Sequence, residues 1–162
     1  MGKSTICKRI CEELKFQYLS ASELIRWSEV SEDPESKLVL NIPDTQSRLV
    51  NALAQQMRGN YLLDGHLCLF NSRSEVTRIS VNTFELIDPS FLSVITASVE
   101  EIRLSQSERG GQVHDVRLIS ELQRCEIEHA SMIAEHLGIP FIQVTRTLID
   151  HLISNIKSTL NL

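Results

Sequence analysis

Met1-Gly2-Lys3-Ser4-Thr5 opens the chain and runs without a break into Ile6-Cys7-Lys8-Arg9-Ile10-Cys11-Glu12-Glu13-Leu14. The opening is the right-hand half of the pattern G-x-x-x-x-G-K-[ST], placed where that pattern belongs, at the start of a helix. Ile6, Ile10 and Leu14 recur at helical spacing and give this helix one apolar stripe. Backbone N–H groups at a helix N-terminus, together with the helix dipole, hold phosphate oxygens. In such a loop a lysine reaches the β and γ oxygens and the first hydroxyl binds Mg²⁺, so Lys3 and Ser4 are expected in those roles, with Gly2 and Thr5 beside them. On this reading Lys3 is exposed and packs against nothing until phosphate arrives. Four letters alone fit a capped surface helix equally well, so the context decides.

Working outward, Phe16–Ser20 reads as a short strand, with a helix from Glu23 to about Val30 capped at Ser20 or Ser22. Ser31–Lys37, with its Pro and acids, reads as a connection. Pro43 stands near the start of a helix that places Leu49, Leu53 and Met57 on one face. Tyr61-Leu62-Leu63 then runs into Asp64-Gly65, the pattern of a buried strand with an acid at its C-terminal end. The stretch from His66 to Ser80 fits either a small hairpin around Ser72, Arg73 and Ser74 or an irregular loop. Helix, strand and helix follow up to the Gly110-Gly111 pair. A long helix from about Asp115 to Leu137 ends at Gly138, and a strand at Pro140–Val144 and a terminal helix close the chain.

Strands alternating with helices predict an α/β fold with a parallel sheet between helix layers. In a P-loop protein the loop follows a strand in the middle of that sheet, and no strand precedes Gly2. The expectation is a chain recorded without its first β-strand and the first half of its loop. The remaining strands, near Phe16, Tyr61, Ser93 and Phe141, would then flank a vacant position between the second and third of them.

The 162 residues fit one domain, and 42% hydrophobic with 23% charged residues is an ordinary globular balance. A net charge of -5 argues against a protein that coats nucleic acid. No apolar run approaches the length of a membrane span and no signal peptide is visible, so a cytoplasmic protein is expected. Cys7, Cys11, Cys68 and Cys125 lack the paired spacing of a zinc site, although Cys7 and Cys11 share a helix face and His66 lies two residues from Cys68.

Taken together, the GKST opening, the segment PDTQSRLVNALAQQM, the strand LLDGH, the piece SVITASVEEIR and the closing HLGIPFIQV resemble the P-loop nucleoside monophosphate kinases, in particular adenylate kinases of the archaeal type and their bacterial relatives. The resemblance implies a P-loop three-layer sandwich with strand order 2-3-1-4-5. It also implies an acceptor-binding helical region over residues 31–60, a short lid over 105–116, and transfer of the γ-phosphoryl group of ATP to a nucleoside monophosphate with Mg²⁺. Carried over, Lys3, Ser4 and Thr5 would hold the triphosphate and its metal, and Asp64 would orient the metal or its water shell. His66 would face the acceptor phosphate, and Gln46 would lie near the acceptor pocket. The family's lid carries a cluster of arginines; here it reads SQSERGGQVHD, leaving Arg109 and His114, and Arg109 beside the double glycine ranks first.

Each residue also has a plainer reading. Asp64 before Gly65 forms a common turn pair, and His66 fits a hydrogen-bonded surface group. Arg103, Arg117 and Arg124 fit a solvated helix face or an ion pair. Tyr18 and Trp27 fit packing as well as base stacking. Two other functions therefore stand beside the first: a P-loop kinase of another small molecule, and a nucleotide-binding regulatory module with little or no catalysis.

Overall fold

The computed structural model describes residues 2–25, 38–39, 42–56, 59–71, 73–107 and 115–162. Helix α1 spans Lys3–Leu14 and β1 spans Gln17–Ser20. A single turn, α2 (Ala21–Leu24), a two-residue strand, β2 (Leu38–Val39), and the helix α3 (Ile42–Gln56) come next. The strand β3 (Tyr61–Asp64) precedes two further short strands, β4 (Cys68–Asn71) and β5 (Val76–Arg78). The remaining elements are α4 (Val81–Ile87), β6 (Leu92–Thr96), α5 (Val99–Ser107), α6 (Val116–Leu137), β7 (Phe141–Thr145) and α7 (Ile149–Leu160).

Local chemistry sets the boundaries. Asp115 starts α6 by accepting a hydrogen bond from the Arg117 N–H at 2.8 Å. Gly138 ends it in the left-handed region at φ 66°, where a side chain would be strained. The α4 helix stops at Asp88, immediately before Pro89, which cannot continue it.

The four expected strands pair in two parallel ladders. In the first, Gln17 to Ser20 of β1 match Tyr61 to Asp64 of β3. In the second, Leu92 to Thr96 of β6 match Phe141 to Thr145 of β7. The two ladders share a core. Ile6, Ile10 and Leu14 of α1 pack with Leu62 of β3, Ile95 of β6, Ile142 and Val144 of β7, and the Leu152, Ile153 and Ile156 stripe of α7. Side chains alternate across a strand, so Tyr61 and Leu63 turn away from α1 and join Leu19, Leu49 and Leu53, which seats α3 on the opposite face. Leu92 of β6 likewise packs with Phe84 of α4 and Ile133 of α6. Helices thus cover both faces of β3 and of β6, which is why these strands read as continuous apolar runs.

One element is added to the expected parallel frame. The strands β4 and β5 form a hairpin, antiparallel to one another, and β2 lies parallel to β4. Asn71 builds its turn: the side-chain oxygen accepts the N–H groups of Arg73 at 2.9 Å and Glu75 at 3.0 Å, and Ser74 takes the left-handed conformation at φ 59°. The hairpin reading of this stretch therefore holds over the irregular loop. The C-terminal part of the helix expected up to Val30, and Met57, lie outside the described residues.

Candidate functional site

Parallel pairing brings the C-terminal ends of β1 and β3 together, with Ser20 opposite Asp64. Helix α1 packs on β3, and its first residue meets the last residue of that strand. Lys3 Nζ lies 3.0 Å from Asp64 Oδ1 and donates to the Gly65 carbonyl at 2.7 Å. From β1, the Tyr18 hydroxyl donates to Asp64 Oδ2 at 2.9 Å, and the Ser4 hydroxyl bonds the same carboxylate. Three groups from two elements, Lys3 and Ser4 of α1 and Tyr18 of β1, thus converge on one acid.

The electrostatics follow from burial. The Asp64 side chain is 5% exposed and that of Lys3 is 36% exposed. Burial alone would raise the Asp64 carboxyl, but the Lys3 ammonium and the hydrogen bonds from Ser4, Lys3 and Tyr18 outweigh it and hold the acid below its ordinary range. The Tyr18 phenol moves the other way, pushed up chiefly by burial and also by the neighbouring Asp64, so it stays protonated as a donor. The expectation that Lys3 packs against nothing is corrected: it neutralises an otherwise buried charge.

His66, two residues past Asp64, turns toward α6. Its Nδ1 lies 2.7 Å from Glu126 Oε1, and the same oxygen accepts the Leu67 N–H at 3.3 Å. Burial would raise the Glu126 carboxyl, but His66, Lys3 and the Leu67 N–H together hold it below its ordinary range. Sequence reasoning did not find Glu126, because only the fold brings α6 to His66. A signal was present nonetheless: Glu126 stands seven residues after the buried Ile119 and seven before the buried Ile133, within the apolar stripe of α6.

Gln46 lies on the first part of α3 and is 8% exposed, with its Oε1 buried and unpartnered among the described residues. Further along α3, Leu49 and Leu53 pack with Tyr61 and Leu63 of β3. Arg109, His114 and Trp27 lie outside the described residues. Arg103 and Arg117 are solvent-exposed, and Arg124 faces Glu128 one helical turn away at 3.6 Å. A cleft of about 300 Å³ opens at the C-terminal ends of β6 and β7, lined by Thr96, Ser98, Glu101, Gln123, Thr145 and Arg146 among others.

The residues fit a Mg²⁺-nucleotide. Asp64 Oδ1 is buried without a hydrogen bond of good geometry, although Lys3 faces it, and so retains acceptor capacity beside the Ser4 hydroxyl. At the start of α1, Gly2 is extended, at φ -82° and ψ 168°, and no side chain caps the helix, which leaves its first N–H groups for an anion. Among the described residues no cluster of three or more His, Cys, Asp or Glu is arranged to hold a metal. No described helix is long and apolar enough to cross a membrane.

A family model described as an AAA domain matches residues 1–123 of the 162. No curated protein matches the chain.

Proposed function

We propose a function from one premise: the chain belongs to the AAA domain family and is a P-loop, nucleotide-binding, kinase-like protein. The proposed reaction is transfer of the γ-phosphoryl group of ATP to a nucleoside monophosphate, in the manner of an adenylate kinase. The observation that carries it is the convergence of Lys3 and Ser4, at the N-terminus of α1, on Asp64 at the end of β3. When bound, Mg²⁺ supplies charge neutralisation between the phosphates, and Ser4 and Asp64 are the residues that would hold it. Lys3 would exchange Asp64 for phosphate oxygens, a move within reach of a flexible four-carbon side chain already partly exposed.

The acceptor monophosphate is itself anionic, so no general base is required, and the protein's task is positioning and neutralisation. His66, held against Glu126, would face the acceptor phosphate. Gln46, with its buried unpaired oxygen, would take a donor from the acceptor. The acceptor region over residues 31–60, the lid over 105–116 with Arg109, and a single domain over 1–162 belong to the same proposal. So does the strand order: β3 and β6 each carry a partner on one edge only among the described residues, and both pack over α1. The proposed order is 2-3-1-4-5.

The test is a coupled assay of ADP formation with MgATP and each nucleoside monophosphate in turn, run beside Lys3→Met. Monophosphate-dependent turnover that the substitution abolishes supports the proposal. Tight MgATP binding with transfer to no monophosphate would replace it with the regulatory reading.

A further inference from the structure

Cys68 on β4 and Cys125 on α6 stand apart from the phosphate site but on the same seam that holds His66. Their sulfurs are 2.9 Å apart, whereas a disulfide measures about 2.05 Å, so closure needs an approach of roughly 0.9 Å. Both are free thiols; Cys68 is buried and Cys125 is partly exposed. The pair forms the next rung beside the His66–Glu126 contact: Cys68 follows Leu67, whose N–H bonds Glu126, and Cys125 directly precedes Glu126. Arg78 of β5 hydrogen-bonds Cys125.

We propose that Cys68 and Cys125 are a reversible redox site, closing to a disulfide that fastens β4 to α6 beside the His66–Glu126 pair.

The accessible sulfur reacts first. With a peroxide as oxidant, the Cys125 thiolate attacks the O–O bond and becomes a sulfenic acid, and the peroxide leaves as hydroxide and takes up a proton to become water. Cys68 then attacks Cys125 Sγ; the S–O bond breaks, and the departing hydroxide takes the Cys68 proton as a second water. Two thiols lose two electrons, and the peroxide gains them. Burial pushes the Cys68 thiol far above its ordinary range, with Cys125 and Glu126 adding to it, which suits a group that reacts only with the partner already in contact. Cys7, on a helix interior and pushed up to about 12 by burial and then by Asp64, serves as an internal control that stays reduced.

The experiment treats the full chain with hydrogen peroxide, reads the melting temperature, then unfolds the protein in denaturant, alkylates with N-ethylmaleimide, and reads intact mass and peptide map. The expected product carries two alkyl groups, at Cys7 and Cys11, and a Cys68–Cys125 linked peptide. It melts about 5 °C or more above the reduced form, and dithiothreitol reverses both changes. In Cys68→Ala the sulfenic acid of Cys125 should persist and be captured by dimedone. Four alkylated cysteines after oxidation, a link through Cys7 or Cys11, or Cys125 advancing to sulfinic acid in the wild-type chain would each overturn the proposal. The wild-type map alone decides this if the variant fails to fold.

Discussion

Lys3 closes on Asp64, Nζ to Oδ1 at 3.0 Å, although one residue begins a helix and the other ends a strand. The contact exists because α1 lies along β3 with its apolar stripe on Leu62, which brings helix start and strand end to one point. It converts two separate motifs, GKST and LLDG, into one electrostatic unit.

Lys3→Ala should therefore lower stability as well as phosphate affinity, since it leaves Asp64 charged and buried without its cation. Lys3 is partly exposed, so the cost is discounted to about 1–2 kcal/mol, or about 3–6 °C in melting temperature for a chain of this size. Asp64→Asn in the same chain should return most of the loss. Scanning calorimetry on the two single variants and the double variant reads the coupling; independent, additive effects would remove the pair from the account.

Glu126 gives the pH dependence. Its folded-state carboxyl is depressed from the ordinary 4.5, so the stability it contributes is present above that value and is lost as pH falls through the lower folded one. Melting temperatures measured from pH 6 down to about pH 3 should fall more steeply for the wild-type chain than for Glu126→Gln, with the difference opening below about 4.5. Parallel curves would show that the His66 contact stores no charge-dependent stability.

Gln46 separates structure from function. A buried amide oxygen without a partner costs about 1–3 kcal/mol, so Gln46→Leu should raise the melting temperature or leave it unchanged. The same substitution should raise KM for the acceptor and leave KM for MgATP alone. A clear drop in stability with an unaltered acceptor KM would make Gln46 a structural residue only.

Gly65 is a matter of space. A Cβ there would come within 3.3 Å of the Ala21 Cβ, so the turn after Asp64 has little room for a side chain. Gly65→Ala should cost about 1 kcal/mol by displacing the carbonyl that holds Lys3, and Gly65→Val considerably more by overpacking. Thermal melts of the two variants check the order; equal melting temperatures would show that α2 yields freely.

The parallel ladders were legible because the strands around Tyr61-Leu62-Leu63 and Val94-Ile95 pack against helices on both faces and announce themselves as apolar runs. Helix α6 was legible from Asp115 and Gly138, whose capping chemistry is local. Asp64 could be placed at a strand end, but its partners could not be foreseen: Tyr18 donates across a ladder, and Glu126 reaches His66 from a helix that only tertiary packing brings near. The apparent freedom of Lys3 had the same cause. A lysine at a helix start carries no local sign of a buried acid waiting across the core.

The most direct test of the central claim is isothermal titration of MgATP into the wild-type chain and into Lys3→Ala, Ser4→Ala and Asp64→Asn, each repeated without Mg²⁺. The account predicts saturable binding by the wild-type chain that strengthens with Mg²⁺. Lys3→Ala should weaken binding about tenfold or more in either condition, because the lost contact is to phosphate and worth about 1.5–3 kcal/mol as a charge-assisted bond. Ser4→Ala and Asp64→Asn should abolish chiefly the Mg²⁺-dependent increment. Wild-type affinity in Lys3→Ala, or a Mg²⁺ increment that survives both of the other substitutions, would contradict it.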